Sequence, residues 1–299
     1  MTMIEKPVIN YRQRTLLGLL NAFEGRLPRL DFQKYLFLYS QEFEHEPSFE
    51  FVPYKFGCFS FQSYADKRRL VEIGALEASE DWRLTAGFGM SDLFANDAFN
   101  RFYKKYSGLK GDRLIQDIYR RYPYYAINSE IAPRLMNNTE IDVIRAARPE
   151  EKRPRFFTIG YEGSSFEGYL NRLIKNNVRT LVDVRRNPLS RKYGFSKKTL
   201  SETVEKLGIE YLHMPELGIS SEKRQELNTQ ADYDRLFASY EKNELKKNRD
   251  ALVSLCNMVK MKKRIAITCF EAHVCMCHRG RVAKALSQLP EWKYEISHI

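Results

Sequence analysis

The chain has 299 residues, 43% hydrophobic and 29% charged, which is globular composition at a length that suits two domains. Its 49 Lys plus Arg outweigh 38 Asp plus Glu, and the net +11 points to a polyanionic partner, most often nucleic acid. No apolar run approaches the roughly 18 residues that cross a bilayer, and Met1 to Arg12, with Glu5, Lys6 and Pro7, is not patterned as a secretory leader, so membrane proteins, secreted disulfide scaffolds and low-complexity chains are excluded. The cytoplasm is the expected compartment, with the 5 cysteines as reduced thiols.

In chain order, Leu16, Leu17, Leu19, Leu20 and Phe23 predict a first helix. Asp31 is placed to cap a second, carrying Tyr35, Leu36, Leu38 and Tyr39. An extended aromatic stretch follows over Phe51–Ser60, and Ser60 caps a third helix through Tyr64, Leu70, Val71 and Ile73, ending at Gly74. Trp82–Thr85 reads as a short strand. This order, with Pro53-Tyr54-x-x-Gly57-x-x-Ser60 before the third helix and Leu70-x-x-x-Gly74-x-Leu76 after it, resembles a winged-helix module. Such a module would turn Lys67, Arg68 and Arg69 toward phosphate, with Arg83 on a wing. A solvated charged face and a protein-contact role are the competing readings of this half. Residues 91–146 add helices whose aromatics, Phe94, Phe99, Phe102, Tyr103, Tyr106, Tyr119, Tyr122, Tyr124 and Tyr125, read as core in preference to base-stacking groups.

Arg148-Pro149-Glu150-Glu151-Lys152-Arg153-Pro154 is charged and twice interrupted by proline, so it fits a linker better than a helix or central strand. It divides a helical, winged-helix-like domain over 1–150 from an α/β domain over 155–299. The charge divides there too. Residues 1–150 hold 21 Lys plus Arg and 20 Asp plus Glu, net +1, whereas 151–299 hold 28 and 18, net +10. Lys152 to Lys198 alone supplies 12 basic residues against Glu162, Glu167 and Asp183, with Glu151 just ahead. This segment is the expected nucleic-acid contact.

Beyond the linker, apolar runs at Arg155–Ile159, Val178–Val184, Tyr211–Met214 and Ile265–Thr268 alternate with helical patterns opened by Ser164 or Ser165 and by Ser196, and Tyr294–Ile299 reads as a closing strand. That alternation predicts a mostly parallel sheet flanked by helices, which places its chemistry at the carboxyl ends of the strands. Four strands are indeed followed by polar residues: Gly160, Tyr161 and Glu162; Asp183, Arg185, Arg186, Asn187, Ser190 and Arg191; His213 and Glu216; Cys269, Glu271, Cys277, His278 and Arg279. Ile159–Gly163, Asp183–Arg191, Leu217-Gly218, and Cys269-Phe270-Glu271 with Cys277-His278-Arg279 resemble the domain-of-unknown-function 488 family over residues 155–299. The resemblance implies a compact α/β domain with a polar site, in nucleic-acid or genome-defence settings.

Asp183 and Glu271 read as acid–base groups, and Cys269 or Cys277 as a nucleophile whose pKa a helix start would lower. Arg185, His278 and Arg279 would hold phosphate, together with Gly160, Tyr161, Arg186, Ser190 and Arg191. Arg186, Arg191, Lys192, Lys197 and Lys198 would form a phosphate track on which Tyr193 and Phe195 stack bases. Beside these stand simpler readings: an Asp183–Arg185 structural ion pair, a solvated basic loop, and cysteines packed as small hydrophobes. Cys269, His273, Cys275, Cys277 and His278 include zinc-type ligands, but a Cys-x-Cys-His run lacks the usual Cys-x-x-Cys spacing, so no metal ligand is assigned, no cofactor is named, and zinc or another divalent metal is the lesser alternative. The expectation is an enzyme that processes DNA, modified or single-stranded, or a nucleotide, by hydrolysis or group transfer. The alternative is a DNA-binding regulator with a ligand-sensing α/β domain.

Overall fold

Helical apolar spacing and glycine-centred turns set the first half of the chain. In the computed structural model, which describes residues 8–88, 97–224, 227 and 229–299, α1 (Tyr11–Ala22) opens on a capping box in which Asn10 and Gln13 each accept the other's backbone N–H. After β1 (Arg26–Leu27), α2 (Arg29–Glu42) starts behind Pro28. The expected Asp31 cap is not made: Asp31 lies inside the first turn and accepts the Gly111 N–H at 3.2 Å. The stretch read as one extended run is a hairpin of β2 (Val52–Tyr54) and β3 (Gly57–Phe59). Gly57 turns it at φ +92°, where a Cβ would also meet the Tyr119 ring at 2.6 Å. Ser60 caps α3 (Phe61–Glu72) through the Ser63 N–H, as expected. β4 (Trp82–Arg83) then pairs antiparallel with β1, and Trp82 stacks on Phe32 with ring centroids 3.7 Å apart.

The basic face predicted on α3 is corrected at Lys67, while Arg68 and Arg69 are exposed as expected. Lys67 is nearly buried, and its ammonium donates to the carbonyls of Ser79, Glu80 and Asp81 at 2.8, 3.0 and 2.9 Å. It ties down the turn ahead of β4 and does not point at a phosphate. Helices α4 (Asp97–Tyr106), α5 (Asp112–Arg121), α6 (Ala132–Leu135) and α7 (Asn138–Ala146) complete this half. Phe99, Phe102, Tyr106 and Tyr119 are buried among them, as core aromatics; Phe94 lies outside the described residues.

Glu42 joins three of these elements, accepting from Lys105, Tyr106 and Arg121 at 2.7, 2.5 and 2.6 Å. Burial alone would raise its pKa, but the three donors outweigh it and hold the carboxyl at about 2. A folded-state pKa below the unfolded value of about 4.3 contributes stability that is complete above that value and is lost as pH falls through 2. Glu42→Gln is therefore expected to flatten the dependence of unfolding midpoint on pH between about 5 and 2. Parallel pH profiles of wild type and variant would refute this.

In the second half, β5 (Arg155–Gly160), α8 (Phe166–Lys175), β6 (Thr180–Asp183), α9 (Lys197–Lys206) and β7 (Glu210–His213) are followed by α10 (Gln230–Tyr240), α11 (Arg249–Lys262), β8 (Arg264–Cys269), α12 (His278–Ser287) and β9 (Glu295–His298). The five strands lie in the order β7-β6-β8-β5-β9 and pair in parallel throughout. Parallel neighbours need crossover connections, which the intervening helices provide. Phe156, Val182, Val184, Ile265 and Ile267 pack with α10, α11 and α12 through Phe237, Leu255, Val259, Val282 and Leu286. The alternate strand positions turn the other way, where the Tyr169 hydroxyl of α8 donates to Thr268 at 2.9 Å. Both faces are thus covered, which is why the strands read as continuous apolar runs.

The chain divides into two units, Met1–Arg148 and Pro149–Ile299, and residues 149–154 form neither helix nor strand. No helix among the described residues is long and apolar enough to cross a membrane.

Candidate functional site

The chain leaves β6 toward β7 at one edge of the sheet and leaves β8 toward β9 at the other. Connections that diverge from neighbouring strands open a crevice at their carboxyl ends, which is the usual ligand position in such sheets. Register sets the ends level, with Asp183 opposite both Thr268 and His213, and Gly160 opposite Cys269. A cavity of about 290 Å³ lies in this crevice, walled by Cys269, Phe270, Tyr161 and Arg185 and rimmed by Arg186, Asn187, Ser190 and Arg191.

Asp183 and Arg185 meet as a buried bidentate pair, Nε to Oδ1 at 2.8 Å and an Nη to Oδ2 at 2.5 Å. Tyr211 donates to the same carboxylate at 2.7 Å, and the Arg185 backbone N–H does so at 3.1 Å. The remaining guanidinium nitrogen donates to the Tyr161 hydroxyl and to the Phe195 carbonyl, at 2.9 and 2.8 Å. Burial would lower the Arg185 pKa, but Asp183 raises it well above its ordinary value. Asp183 is 0% exposed. Its geometry corrects the acid–base reading: the pair ties the end of β6 to the loop over 185–195 and keeps Tyr161 beside it.

A second constellation forms where β8 ends and α12 begins. Cys269, Cys277 and His278 are buried and Glu271 half-buried, and one sulfur, oxygen or nitrogen from each lies within 4.8 Å of the others. The Cys269 thiol donates to Glu271 at 3.2 Å and lies 3.4 Å from His278 Nδ1, while His278 Nε2 donates to the Val184 carbonyl at 3.1 Å. Burial, followed by the hydrogen bond with Cys269, pushes the Cys277 thiol well above its ordinary pKa. This is opposite to the lowering expected at a helix start. Arg279 is also buried and donates to the carbonyls of Glu271 and Ala272, the latter at 2.8 Å. His278 and Arg279, expected to hold phosphate, instead fasten the strand-end loops from below.

Gly160, expected to touch substrate, has a packing role. A Cβ there would come within 2.0 Å of the Glu271 carbonyl oxygen, so only glycine lets β5 pass under the loop that carries Glu271. Cys275 is exposed and outside the cluster.

The residues expected to form a phosphate track divide by burial. Arg186, Asn187, Arg191, Lys197 and Lys198 are exposed and Ser190 half-buried. Lys192 turns back to the Tyr161 carbonyl at 3.0 Å. Phe195 is corrected: it is fully buried, stacked on Tyr161 with centroids 4.2 Å apart, and unavailable to a base. Tyr193 sits edge-on to Phe166. The residue missed by the sequence reading is Phe270, 42% exposed at the cavity wall, with Leu189 at 77% beside it. The signal was there: in an extended chain Phe270 points opposite to its neighbours Cys269 and Glu271.

Residues 165–286, which run from α8 through β6, β7 and β8 to all but the last residue of α12, match the family model described as Domain of unknown function DUF488. They belong to the DUF488 family. The match takes in Asp183, Arg185, Cys269, Glu271, Cys277, His278 and Arg279, but not Gly160 and Tyr161, and the N-terminal unit, read as winged-helix-like, lies outside it. No curated protein and no solved structure matches the chain.

Proposed function

We propose that the protein is a cytoplasmic nucleic-acid-processing enzyme whose DUF488 domain acts on DNA or a nucleotide by hydrolysis or group transfer, in a genome-defence setting. One observation carries this reading: the crevice combines an exposed cationic rim, Arg186 and Arg191, with an exposed ring, Phe270, above a wall formed by Cys269. Phosphates bind the rim and a base stacks on Phe270, which brings the bond to be broken over the cluster of Cys269 and Glu271. The basic excess of the chain lies in the same half.

The test is incubation with single-stranded, duplex and base-modified oligonucleotides, scored for strand cleavage and base release. Binding gives a second readout. Arg186→Ala and Arg191→Ala are each expected to weaken binding across sequences and to lower the salt slope by about 1. Phe270→Ala is expected to weaken single-strand binding by about 1–3 kcal/mol with the salt slope unchanged. Wild-type affinity in all three variants would remove the crevice as the nucleic-acid site. A DNA-reading regulator has less support. On α3, Lys67 is engaged by three carbonyls and Arg69 by Glu72 at 3.0 Å.

A further inference from the structure

The cluster at the end of β8, over which the nucleic-acid reading sets the reacting bond, also has the chemistry of a metal site. Two thiols, an imidazole and a carboxylate converge from two elements, Cys269 and Glu271 from the strand end and Cys277 and His278 from the helix start, with their donor atoms within 4.8 Å of one another. Tetrahedral zinc, with Zn–S near 2.3 Å and Zn–N near 2.0–2.1 Å, brings its ligand atoms to about 3.3–3.8 Å from each other. Cys269 already stands 3.2 Å from the Glu271 oxygen and 3.4 Å from His278 Nδ1.

The imidazole is set for ligation. Its Nε2 proton is donated to the Val184 carbonyl at 3.1 Å, which leaves the Nδ1 lone pair directed at the cluster. Zinc-binding histidines are oriented in this way, by a backbone carbonyl at the distal nitrogen. The backbone is also set, because Arg279 grips the carbonyls of Glu271 and Ala272 and Gly160 leaves room for that turn. Burial of Cys269, Cys277 and His278 excludes competing water, while Glu271 stays half-exposed. Three buried ligands with a more accessible fourth is the pattern of a site that can exchange one position.

Charge favours a cation here. Two thiols and a carboxylate can each give up a proton to bind a divalent ion. Arg279 adds a positive charge to offset the two thiolates and carboxylate around the ion. Thiolate and imidazole donors select zinc and exclude the oxygen-seeking magnesium and calcium.

We propose that Cys269, Cys277 and His278, with Glu271 as the fourth donor, bind one zinc ion. This inference rests on the donor geometry, and its test reads metal binding, so it stands or falls separately from the nucleic-acid reading of the same residues. Cys-x-x-Cys spacing is not needed here, because the donors come from a strand end and a helix start that the fold brings together.

The experiment uses the full chain, stripped of metal under reducing conditions and titrated with zinc, with elemental analysis after dialysis. Retention of one zinc per chain is expected. Cobalt(II) in place of zinc is expected to give thiolate charge-transfer absorption and the strong visible bands of tetrahedral cobalt. Cys277→Ser and His278→Gln should lower metal retention at least tenfold, and Cys275→Ser should leave it unchanged. Folded wild-type protein, judged by near-ultraviolet circular dichroism, that retains no zinc and shows no cobalt charge transfer overturns the proposal. So does binding that is lost with Cys275→Ser, or a Cys269–Cys277 disulfide that persists in reductant and takes up no metal. Because the wild-type measurements need no variant to fold, they decide the matter alone.

Discussion

Asp183→Ala is expected to destabilise the C-terminal unit by roughly 3–5 kcal/mol, the usual cost of removing one partner from a buried ion pair. The cost comes from what remains. Arg185 is nearly buried, and without the carboxylate its guanidinium keeps only the Tyr161 hydroxyl and the Phe195 carbonyl as partners, while the Tyr211 hydroxyl loses its acceptor at 2.7 Å. An unpaired charge in a low-dielectric setting outweighs the loss of one small side chain. Asp183→Leu combined with Arg185→Met should recover part of the loss, since apolar replacement of a whole buried pair is often close to neutral. Recovery stays incomplete because the Phe195 carbonyl then lacks its donor. Amide exchange of β6 and β8 reads this unit separately from the N-terminal one. Protection within 1 kcal/mol of wild type for Asp183→Ala would show that the pair does not hold the loop, and would restore Asp183 as an acid–base candidate.

The contrast between Asp183 and Phe270 shows where the sequence was legible. Strand ends, helix starts and the basic segment could be placed because each rests on a local signal: apolar periodicity, a serine cap, a run of like charge. Ser60 and Ser165 cap their helices as expected. What local signals do not carry is whether a polar side chain at a strand end faces the crevice or the sheet beneath it. Arg185 and Arg186 are adjacent, yet one is spent on Asp183 and the other is exposed. The choice depends on Tyr211 of β7 and Tyr161 after β5, which reach Asp183 and Arg185 only once the strands are ordered. His278 and Arg279 likewise look like an anion site at a helix start, but α12 delivers them against the Val184 and Glu271 carbonyls. The zinc-type cluster was legible in part: Cys269, Cys277 and His278 stood among the zinc-type residues of the sequence, but that Glu271 joins them, and His273 and Cys275 do not, is decided by the fold.

Glu271→Gln is expected to lower turnover on a responsive nucleic-acid substrate by about 10²–10⁴-fold, the range for loss of a positioned general acid or base. Its binding constant should stay within a few-fold of wild type. The substitution is close to isosteric, and Arg279 holds the backbone carbonyl of residue 271, which glutamine keeps. The substitution leaves Arg186 and Arg191, the cavity residues proposed to bind phosphate, in place. A fall in turnover with unchanged binding therefore isolates proton transfer, or the charge of the carboxylate, from substrate capture. The pH–rate profile separates these two. Loss of a proton-transferring carboxylate removes one limb of the profile, whereas loss of charge alone lowers the rate at every pH. Zinc content of the same variant supplies the last distinction. Turnover lost with zinc retained assigns Glu271 to proton transfer, and turnover lost together with zinc assigns it to the metal. Turnover within threefold of wild type would take Glu271 out of the chemistry and leave the Cys269 thiol as the reacting group nearest the bound substrate.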